Sequence, residues 1–567
     1  MSALDLHDIQ GNIHRPYGRY GFPYARYFLF HIRHGECAAG RWFIDQIRPS
    51  VTTAEPWRNS STPKDAPVRD KPAVAVNIAF TWKGLSALEL PTSTLRLMPD
   101  EFIEGMAARK SVLGDLEASD PANWDLVWKA AAESDEHAAH IWVSLNAQAD
   151  AMGRPVPELD AWTQWLLTLP TYPEADGKVL LLAGHGQRPD GPAPNETRWQ
   201  DSSTIMETLE GGALVPTPFE PFGFVDGISD PIFVGQDALD EDPTAAVGSG
   251  KIRSGPFDPI KSWEPLAAGE FILGLPSEGQ ELPVASVPAN FMRNGTFMAL
   301  RKLHQNTAAF DGAMAQQAET YRKVAGLAST EEALRTLKSK MVGRWPSGVP
   351  LIVAPTMADE ARVLAEYPVL VKLATRQPLT TDDKLQYAAF ERMQRNYRYV
   401  DDPDGVKCPM GAHVRRVNPR DMLDPDHPKG LATTALTNRR RILRRGLPYG
   451  EGSLVAPARQ DDKAEHGVFI MALCTSLFRQ FEFIQQQWIQ YGLDLDSGND
   501  SCPITGRRDP ANPQANKFVV QTDPASGKAP YIAADLPQFV ETHGGDYFFI
   551  PSITALRMMA MGSVDPT

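Results

Sequence analysis

The sequence predicts an α+β fold with antiparallel sheets, and the order of elements in its first half is the main reason. YARYFLFHI at 24–32 and VAVNIAFTW at 74–82 have the composition of strands, and a helical pattern follows each of them. HIWVSLNAQ and KVLLLAGHG predict two further strands on either side of a helix near 160–167. Two strand-helix-strand units in series are typical of a ferredoxin-like sheet with helices on one face.

The second half repeats the strand patterns but separates them with helices. GEFILGL, TFMALRKL and HGVFIMALC predict strands, and FVETHGGDYFFIPS predicts a last strand and loop. Residues 316–341 and 359–398 are rich in Ala, Leu, Glu and Lys and read as helical. We therefore expect a helical insertion at about 310–400.

Bulk properties exclude several classes of protein. The 567 residues are 42% hydrophobic and 22% charged, with a formal net charge of −14 and a pI near 5.4, so neither nucleic acid nor an anionic membrane is an expected partner. The four cysteines form no disulfide framework and no C-x-x-C-H site. No signal peptide or membrane-spanning run is visible, which predicts a cytoplasmic protein.

Positive charge in this acidic chain is concentrated around one histidine. The segment 408–420 reads CPMGAHVRRVNPR, with His413 followed by Arg415, Arg416 and Arg420. A neutral imidazole can ligate a haem iron, and arginines can neutralise the propionates of that haem. Taken alone, a histidine such as His413 is more often an ordinary hydrogen-bonded residue than a metal ligand.

Two other segments carry candidate functional side chains. Asp226 lies in GFVDGISDP at 223–231, where glycines allow a flat ligand to approach the backbone closely. Arg444 lies in RILRRG at 441–446. Taken alone, Asp226 could be a turn residue that caps its own backbone, and Arg444 part of a solvated basic run.

In this order the three segments resemble the dye-decolorizing peroxidase family. The marks of that family are a G-x-x-D-G turn, a G-A-H-[IV]-R segment that ends in N-P-R, and a later L-R-R-G. The resemblance extends over most of the chain, through DIQGNI, GEFILG, RNGTFMALRKL, GRWPSG, FEFIQQQW and GGDYFFIPS. It implies two ferredoxin-like domains packed together: an N-terminal one at 1–215, and a haem-binding one at 216–567 that carries the helical insertion.

The resemblance also implies the site. Haem b would be held without covalent bonds, with His413 as the axial ligand of its iron. Asp226 would move a proton between the oxygens of hydrogen peroxide, and Arg444 would supply a cation for cleavage of the O–O bond. The remaining residues that the resemblance places at the cofactor are Gly227, Ile228, Ser229, Arg415, Asn418 and Arg420.

The implied function is that of a haem peroxidase. It would reduce hydrogen peroxide to water and oxidise phenols, dyes or other organic donors one electron at a time, through a ferryl intermediate. A different class of function, a haem-binding or haem-handling protein without turnover, would need His413 but neither Asp226 nor Arg444.

The sequence leaves further assignments open. Residues 468–473, VFIMAL, are expected to form the wall of the distal pocket. Glu482 is a candidate acceptor for the second nitrogen of His413, and an ordinary carboxylate on a helix surface is an equally good interpretation. Arg395 and Tyr399 fit an R-x-x-x-Y arrangement, which places a cation beside a tyrosinate ligand in catalases.

The sequence also contains a candidate metal site. His137 and His140 have the spacing of metal ligands beside acidic residues, although a solvated helix end explains the same pattern.

Overall fold

The computed structural model of the chain confirms the predicted α+β class. It describes residues 4–18, 21–58, 68–189, 197–253, 256–283, 285–424, 431–450, 462–513 and 516–564. No helix in these ranges combines the length and the apolar content needed to cross a bilayer.

Most long strands belong to one large sheet. The strands of the described residues are β1 (Tyr24–Ile32), β2 (Val74–Phe80), β3 (Ile141–Ala147), β4 (Val179–Leu181), β5 (Gln200–Ser203), β6 (Met206–Thr208), β7 (Leu214–Pro216), β8 (Lys251–Ile252), β9 (Trp263–Glu264), β10 (Thr296–Gln305), β11 (Leu443–Arg445), β12 (Pro448–Gly450), β13 (His466–Cys474), β14 (Phe518–Val520), β15 (Tyr531–Ala533) and β16 (Val540–Ile550).

Helices cover this sheet and fill the predicted insertion. Those of the described residues are α1 (Gly11–His14), α2 (Cys37–Ile47), α3 (Trp82–Ala87), α4 (Thr92–Arg96), α5 (Asp100–Glu104), α6 (Lys110–Leu113), α7 (Leu126–Glu133), α8 (Glu158–Thr168), α9 (Ala238–Glu241), α10 (Ala289–Met292), α11 (Thr307–Ala325), α12 (Thr330–Val342), α13 (Met357–Ala365), α14 (Val369–Ala374), α15 (Thr381–Arg395), α16 (His413–Val417), α17 (Ala435–Asn438) and α18 (Ile553–Met561). Two π-helical stretches, Leu477–Glu482 and Ile484–Gln490, follow β13.

The large sheet runs without a break from one half of the chain to the other. Its strand order is β11-β13-β10-β16-β2-β3-β1-β4, and all its pairs are antiparallel. The halves join where Phe549 of β16 lies opposite Phe80 of β2. Because both phenylalanines are fully buried, this junction is part of the main hydrophobic core.

The insertion forms a second, smaller body of helices beside the sheet. Phe310, Met314 and Tyr321 of α11 pack with Leu337 of α12 in one core cluster. A turn at 343–348 follows α12, and its Pro346 carbonyl accepts a hydrogen bond of 3.3 Å from the backbone of Val225. The insertion is thereby attached to the segment that carries Asp226.

One predicted strand is wrong. GEFILGL begins with a single 3₁₀ turn at Ala268–Glu270 and continues as a buried turn. Phe271, Ile272 and Leu273 are all fully buried, and a short run that is buried on every side has no periodicity to separate a strand from other conformations.

Candidate active site

Asp226 lies in a tight, exposed turn. Its backbone N–H donates to the carbonyl of Pro218 (2.9 Å), and its Oδ1 accepts a 2.6 Å hydrogen bond from the backbone of Gly227. Gly227 has a φ of +79°, a left-handed conformation that favours glycine. The side chain of Asp226 is 55% exposed, so the turn presents the carboxylate outward from the protein interior.

Arg444 is fixed beside this carboxylate by its own backbone and by the turn. Its N–H donates to Oδ1 of Asp230 (2.9 Å), and Nη2 donates to the carbonyl of Ile228 (2.7 Å). Nη1 lies 3.6 Å from Oδ1 of Asp226. The geometry thus brings together the carboxylate and the cation that the sequence predicted as partners.

Arg445 has the structural position expected for the second arginine of this motif. It is buried, donates to the carbonyls of Asn12 and Ile13, and pairs with Asp230 at 2.8 Å. Successive residues of a strand point to opposite faces, so Arg444 and Arg445 diverge.

His413 is the first residue of α16, a single helical turn. Its Nδ1 lies 3.3 Å from Sγ of Cys502. Among the described residues, Nε2 of His413 has no hydrogen-bond partner. An imidazole that donates from Nδ1 keeps a lone pair on Nε2, which is the tautomer that a metal ligand requires.

Sequence reasoning missed Cys502. Burial raises the pKa of its thiol, but the adjoining His413 imidazole and the Arg416 guanidinium outweigh burial and lower the pKa to about 6. No local spacing connects Cys502 with His413, so no motif could have revealed the pair.

The structure corrects the predicted roles of Arg415 and Arg416. Arg415 is fully buried, pairs with Asp402 at 3.1 Å and donates to the carbonyl of Cys408 at 2.7 Å. Arg416 is 1% exposed and donates to backbone carbonyls, including that of Trp488 at 2.9 Å. Both guanidinium groups are occupied inside the protein, so neither extends toward a propionate.

Arg420 is the arginine of this segment that reaches the Asp226 turn. Its Nη2 donates to Oγ of Ser229 at 3.3 Å, and its guanidinium carbon lies 3.8 Å from the centre of the Tyr397 ring. Both Ser229 (φ +63°) and Arg420 (φ +54°) adopt the left-handed conformation that non-glycine residues disfavour. Such backbone strain is concentrated at functional sites in proteins.

The predicted pocket wall at 468–473 divides by strand alternation. Phe469, Met471 and Leu473 are buried in the main core, whereas Val468 and Ile470 are partly exposed. We therefore restrict the predicted pocket wall to the alternate residues Val468, Ile470 and Ala472. These residues share the face of the sheet that carries Arg444, because Arg444 pairs directly with Ala472.

Glu482 does not accept a hydrogen bond from His413. Arg109 donates to its two oxygens from Nε (2.8 Å) and Nη2 (2.6 Å), and the hydroxyl of Tyr547 donates to Oε1 (2.8 Å). The prediction fails because this carboxylate already has a buried cation and a phenol as partners.

The catalase-like arrangement of Arg395 and Tyr399 is not formed. Nε of Arg395 donates to the carbonyl of Val247 instead. Burial raises the pKa of Tyr399 well above its ordinary value, which favours a neutral phenol over a tyrosinate ligand.

The predicted histidine pair at 137 and 140 does not converge either. His140 is buried, stacks on His31 with ring centres 4.4 Å apart, and accepts from the backbone of Ile32 at Nδ1. Burial lowers the pKa of His140 to about 3, so it is a neutral core residue, while His137 is exposed.

The residues present fit a haem. His413 offers Nε2 to an iron. Oδ1 of Asn418 and Nε of Arg420 are buried polar atoms that have no hydrogen-bond partner in the described parts of the chain. Buried polar atoms left in this way indicate that a polar group of a ligand completes their hydrogen bonds. Ile228 accepts a hydrogen bond from Arg444 and Ser229 accepts one from Arg420. The place of Gly227, Ile228 and Ser229 at the edge of a cofactor stays a prediction.

Comparisons with known proteins agree with this assignment. The family described as the DyP dimeric alpha+beta barrel domain matches residues 8–150. The chain is 26% identical to Peroxidase 2 of Mycetinis scorodonius over 98% of this chain and 87% of that relative. It is also 26% identical to a dye-decolorizing peroxidase of Exidia glandulosa, with the same 98% and 87% coverage.

Solved structures share the fold. A fungal DyP-type peroxidase from Auricularia auricula-judae superposes with a TM-score of 0.65 at 22% identity, covering 99% of this chain and all of the other. A dye-decolorizing peroxidase in complex with 2,6-dimethoxyphenol gives a TM-score of 0.64 at 21% identity and covers 98% of this chain. The chain thus resembles the dye-decolorizing peroxidases in the domain matched at residues 8–150, in relatives that align with nearly its whole length, and in its fold.

Proposed function

We propose that this chain is a haem peroxidase that reduces hydrogen peroxide to water and oxidises phenolic, dye-like or other organic donors. In the balanced reaction, one peroxide and two donors, each losing one electron and one proton, give two waters and two donor radicals. The observation that carries the proposal is the pairing of Asp226 with Arg444 at 3.6 Å, in an enzyme family named for this activity. The donor class is supported by the names of the relatives and by the phenol bound in one similar structure.

Each polar residue of the site has a proposed part in this reaction. A bound haem b, held without covalent bonds, supplies the one-electron redox chemistry. Nε2 of His413 would ligate its iron, and Arg420 and Asn418 would hold its polar periphery.

Asp226 and Arg444 act on the peroxide. The carboxylate of Asp226 takes the proton from one peroxide oxygen and delivers it to the other, which leaves as water. Nη1 and Nη2 of Arg444 stabilise the negative charge that develops on the leaving oxygen. The contact between Arg444 and Ile228 holds the guanidinium in place for this task.

The alternative is a haem-binding or haem-handling protein without significant turnover. It would use His413 but would gain nothing from the Asp226–Arg444 pair. That pair is therefore the feature that favours an enzyme.

The test is steady-state oxidation of a phenol and of a synthetic dye by the haem-loaded full chain with hydrogen peroxide. We expect turnover far above that of the same concentration of free haem, with a strict requirement for peroxide. Turnover no faster than that of free haem, from protein that is fully haem-loaded, would support the haem-handling alternative instead.

A further inference from the structure

We propose that Cys502 is the positioning residue of the haem ligand: its sulfur accepts a hydrogen bond from Nδ1 of His413 and orients the imidazole toward the iron. This inference rests on the proposed function, because it takes His413 as the axial ligand. It assigns to a cysteine the task that a carboxylate or carbonyl usually performs for a metal-bound histidine.

The sulfur is held in place by the backbone around it. Cys502 is fully buried, and its N–H donates to the carbonyl of Ile489 at 2.7 Å. Its own carbonyl accepts from Gly506 (3.0 Å) and from Nη2 of Arg508 (2.9 Å). The 3.3 Å separation between Sγ and Nδ1 of His413 suits a sulfur acceptor, which is larger and weaker than oxygen.

No carboxylate competes for this position. Within the part of the chain that the structure describes, no Asp or Glu oxygen forms a hydrogen bond with His413. Glu482 is held by Arg109 and Tyr547, and the side chain of Asp500 lies 3.3 Å from the ammonium of Lys517. Cys502 is thus the acceptor available to Nδ1.

An acceptor on Nδ1 has a measurable consequence at the iron. It pulls the Nδ1 proton away from the ring, which makes Nε2 a stronger donor, strengthens the iron–nitrogen bond and stabilises the ferric over the ferrous state. Removing the acceptor should reverse each effect. A structural role for Cys502 alone would leave the iron–nitrogen bond unchanged.

The experiment compares Cys502→Ala and Cys502→Asp with the unmodified chain, all loaded with haem. Cys474→Ala is the matched control, because Cys474 is also fully buried but lies at the end of β13. We expect Cys502→Ala to lower the iron–histidine stretching frequency in resonance Raman spectra of the ferrous protein and to raise the ferric/ferrous reduction potential. Cys502→Asp, which restores an acceptor, should bring both values back to those of the unmodified chain or beyond them.

The inference is overturned if Cys502→Ala keeps the unmodified frequency and potential. Cys502→Ser, with a smaller acceptor of shorter reach, serves if Cys502→Asp does not fold, and its values should lie between those of the alanine variant and the unmodified chain. Values equal to those of the alanine variant would count against the hydrogen bond.

His413→Ala separates this failure from failure of the proposed function. If His413 is the ligand, the iron–histidine band disappears in that variant whatever Cys502 does. If the band is absent from the unmodified chain, or the ferrous–CO complex has the spectrum of a thiolate-ligated haem, then the assignment of His413 itself is wrong.

Discussion

The side chains of Asp226 and Arg444 lie 3.6 Å apart, yet they are 55% and 40% exposed. Exposed ion pairs contribute about 0–1 kcal/mol to stability, because water and salt screen them. The pair therefore contributes little to the free energy of unfolding. Either side chain can be replaced to test its function while the protein stays folded.

Asp226→Asn should abolish proton transfer to and from peroxide while leaving the protein folded. We expect the rate of reaction with peroxide to fall by about 10²–10⁴-fold, the usual contribution of a general acid–base group. The free energy of unfolding should change by less than about 1 kcal/mol. Stopped-flow spectra of the haem-loaded variant and a denaturant titration measure the two effects.

Asp258→Asn is the matched control for this variant, since Asp258 is also a turn aspartate that accepts backbone hydrogen bonds. It should react with peroxide at the unmodified rate. An Asp226→Asn variant that also reacts at that rate would remove Asp226 from the mechanism.

Arg444→Leu should slow the same step by about 10²–10³-fold, because it removes a donor aimed at the developing charge. Arg439→Leu is the matched control: Arg439 is an exposed arginine of the same basic run, and it pairs with Glu281. Peroxide-dependent rates of the two haem-loaded variants distinguish a specific role from a general effect of charge. An equal loss of rate in the two variants would show that only the total positive charge of this basic segment matters.

Glu482→Gln should leave the haem ligand unaffected and reduce stability. Its carboxylate is 1% exposed and pairs with Arg109, so the substitution weakens a buried ion pair and should cost about 1–3 kcal/mol. Denaturant unfolding measures the cost, and the iron–histidine frequency should stay at its unmodified value. A shift of the iron–histidine frequency in this variant would show instead that Glu482 acts on His413.

Lys302→Met should be strongly destabilising. The ammonium of Lys302 is fully buried between Asp125 (2.6 Å) and Glu465 (2.7 Å). Removing it leaves a carboxylate buried without a cation, at a cost of about 3–5 kcal/mol. The double variant Lys302→Met/Asp125→Asn should recover part of this loss in denaturant unfolding, and no recovery would contradict the pairing.

Glu541 should make stability depend on acidic pH. Burial alone would raise its pKa, but hydrogen bonds with His543 and Asn306 lower it from 4.5 to about 2. A depressed carboxyl pKa stabilises the fold above pH 4.5, and this contribution is lost as the pH falls from 4.5 toward 2.

The measurement compares Glu541→Gln with the unmodified chain from neutral pH down to about pH 2. The stability difference between them should be largest near neutrality and shrink on acidification. Glu174→Gln, at an exposed position, is the control and should show no such trend. A difference that is constant with pH would contradict the assignment.

The sequence predicted those parts of the site that lie in short contiguous motifs. Asp226, Arg444 and His413 each come with flanking glycines or arginines that mark the segment, and the structure brings the first two together. Cys502 has no such flank, and its contact with His413 joins segments far apart in the chain. Only tertiary structure could reveal that contact.

The presence of several arginines in a segment did not predict which of them reaches the site, whereas position in a motif was a better predictor. Arg415 and Arg420 look alike in the sequence and both are buried, but Arg415 is enclosed by Asp402 and Cys408, whereas Arg420 donates from Nη1 to the carbonyls of Arg395 and Tyr397 and from Nη2 to Ser229. Charge patterns do not reveal which guanidinium groups are satisfied by backbone carbonyls. Among the strands, apolar runs predicted β1, β2, β3, β10 and β13, which are 7–10 residues long, and the prediction failed for GEFILGL, a short apolar run that is buried as a turn. The cytoplasmic location stays a prediction.

The hydrogen bonds of Arg416 join α16 to a much later part of the chain. Its guanidinium donates to the carbonyls of Trp488, Tyr491 and Asp500, which lie 72, 75 and 84 residues further along. The helical turn that carries His413 is therefore held by this later segment, and a chain truncated before Trp488 would lack these partners of Arg416.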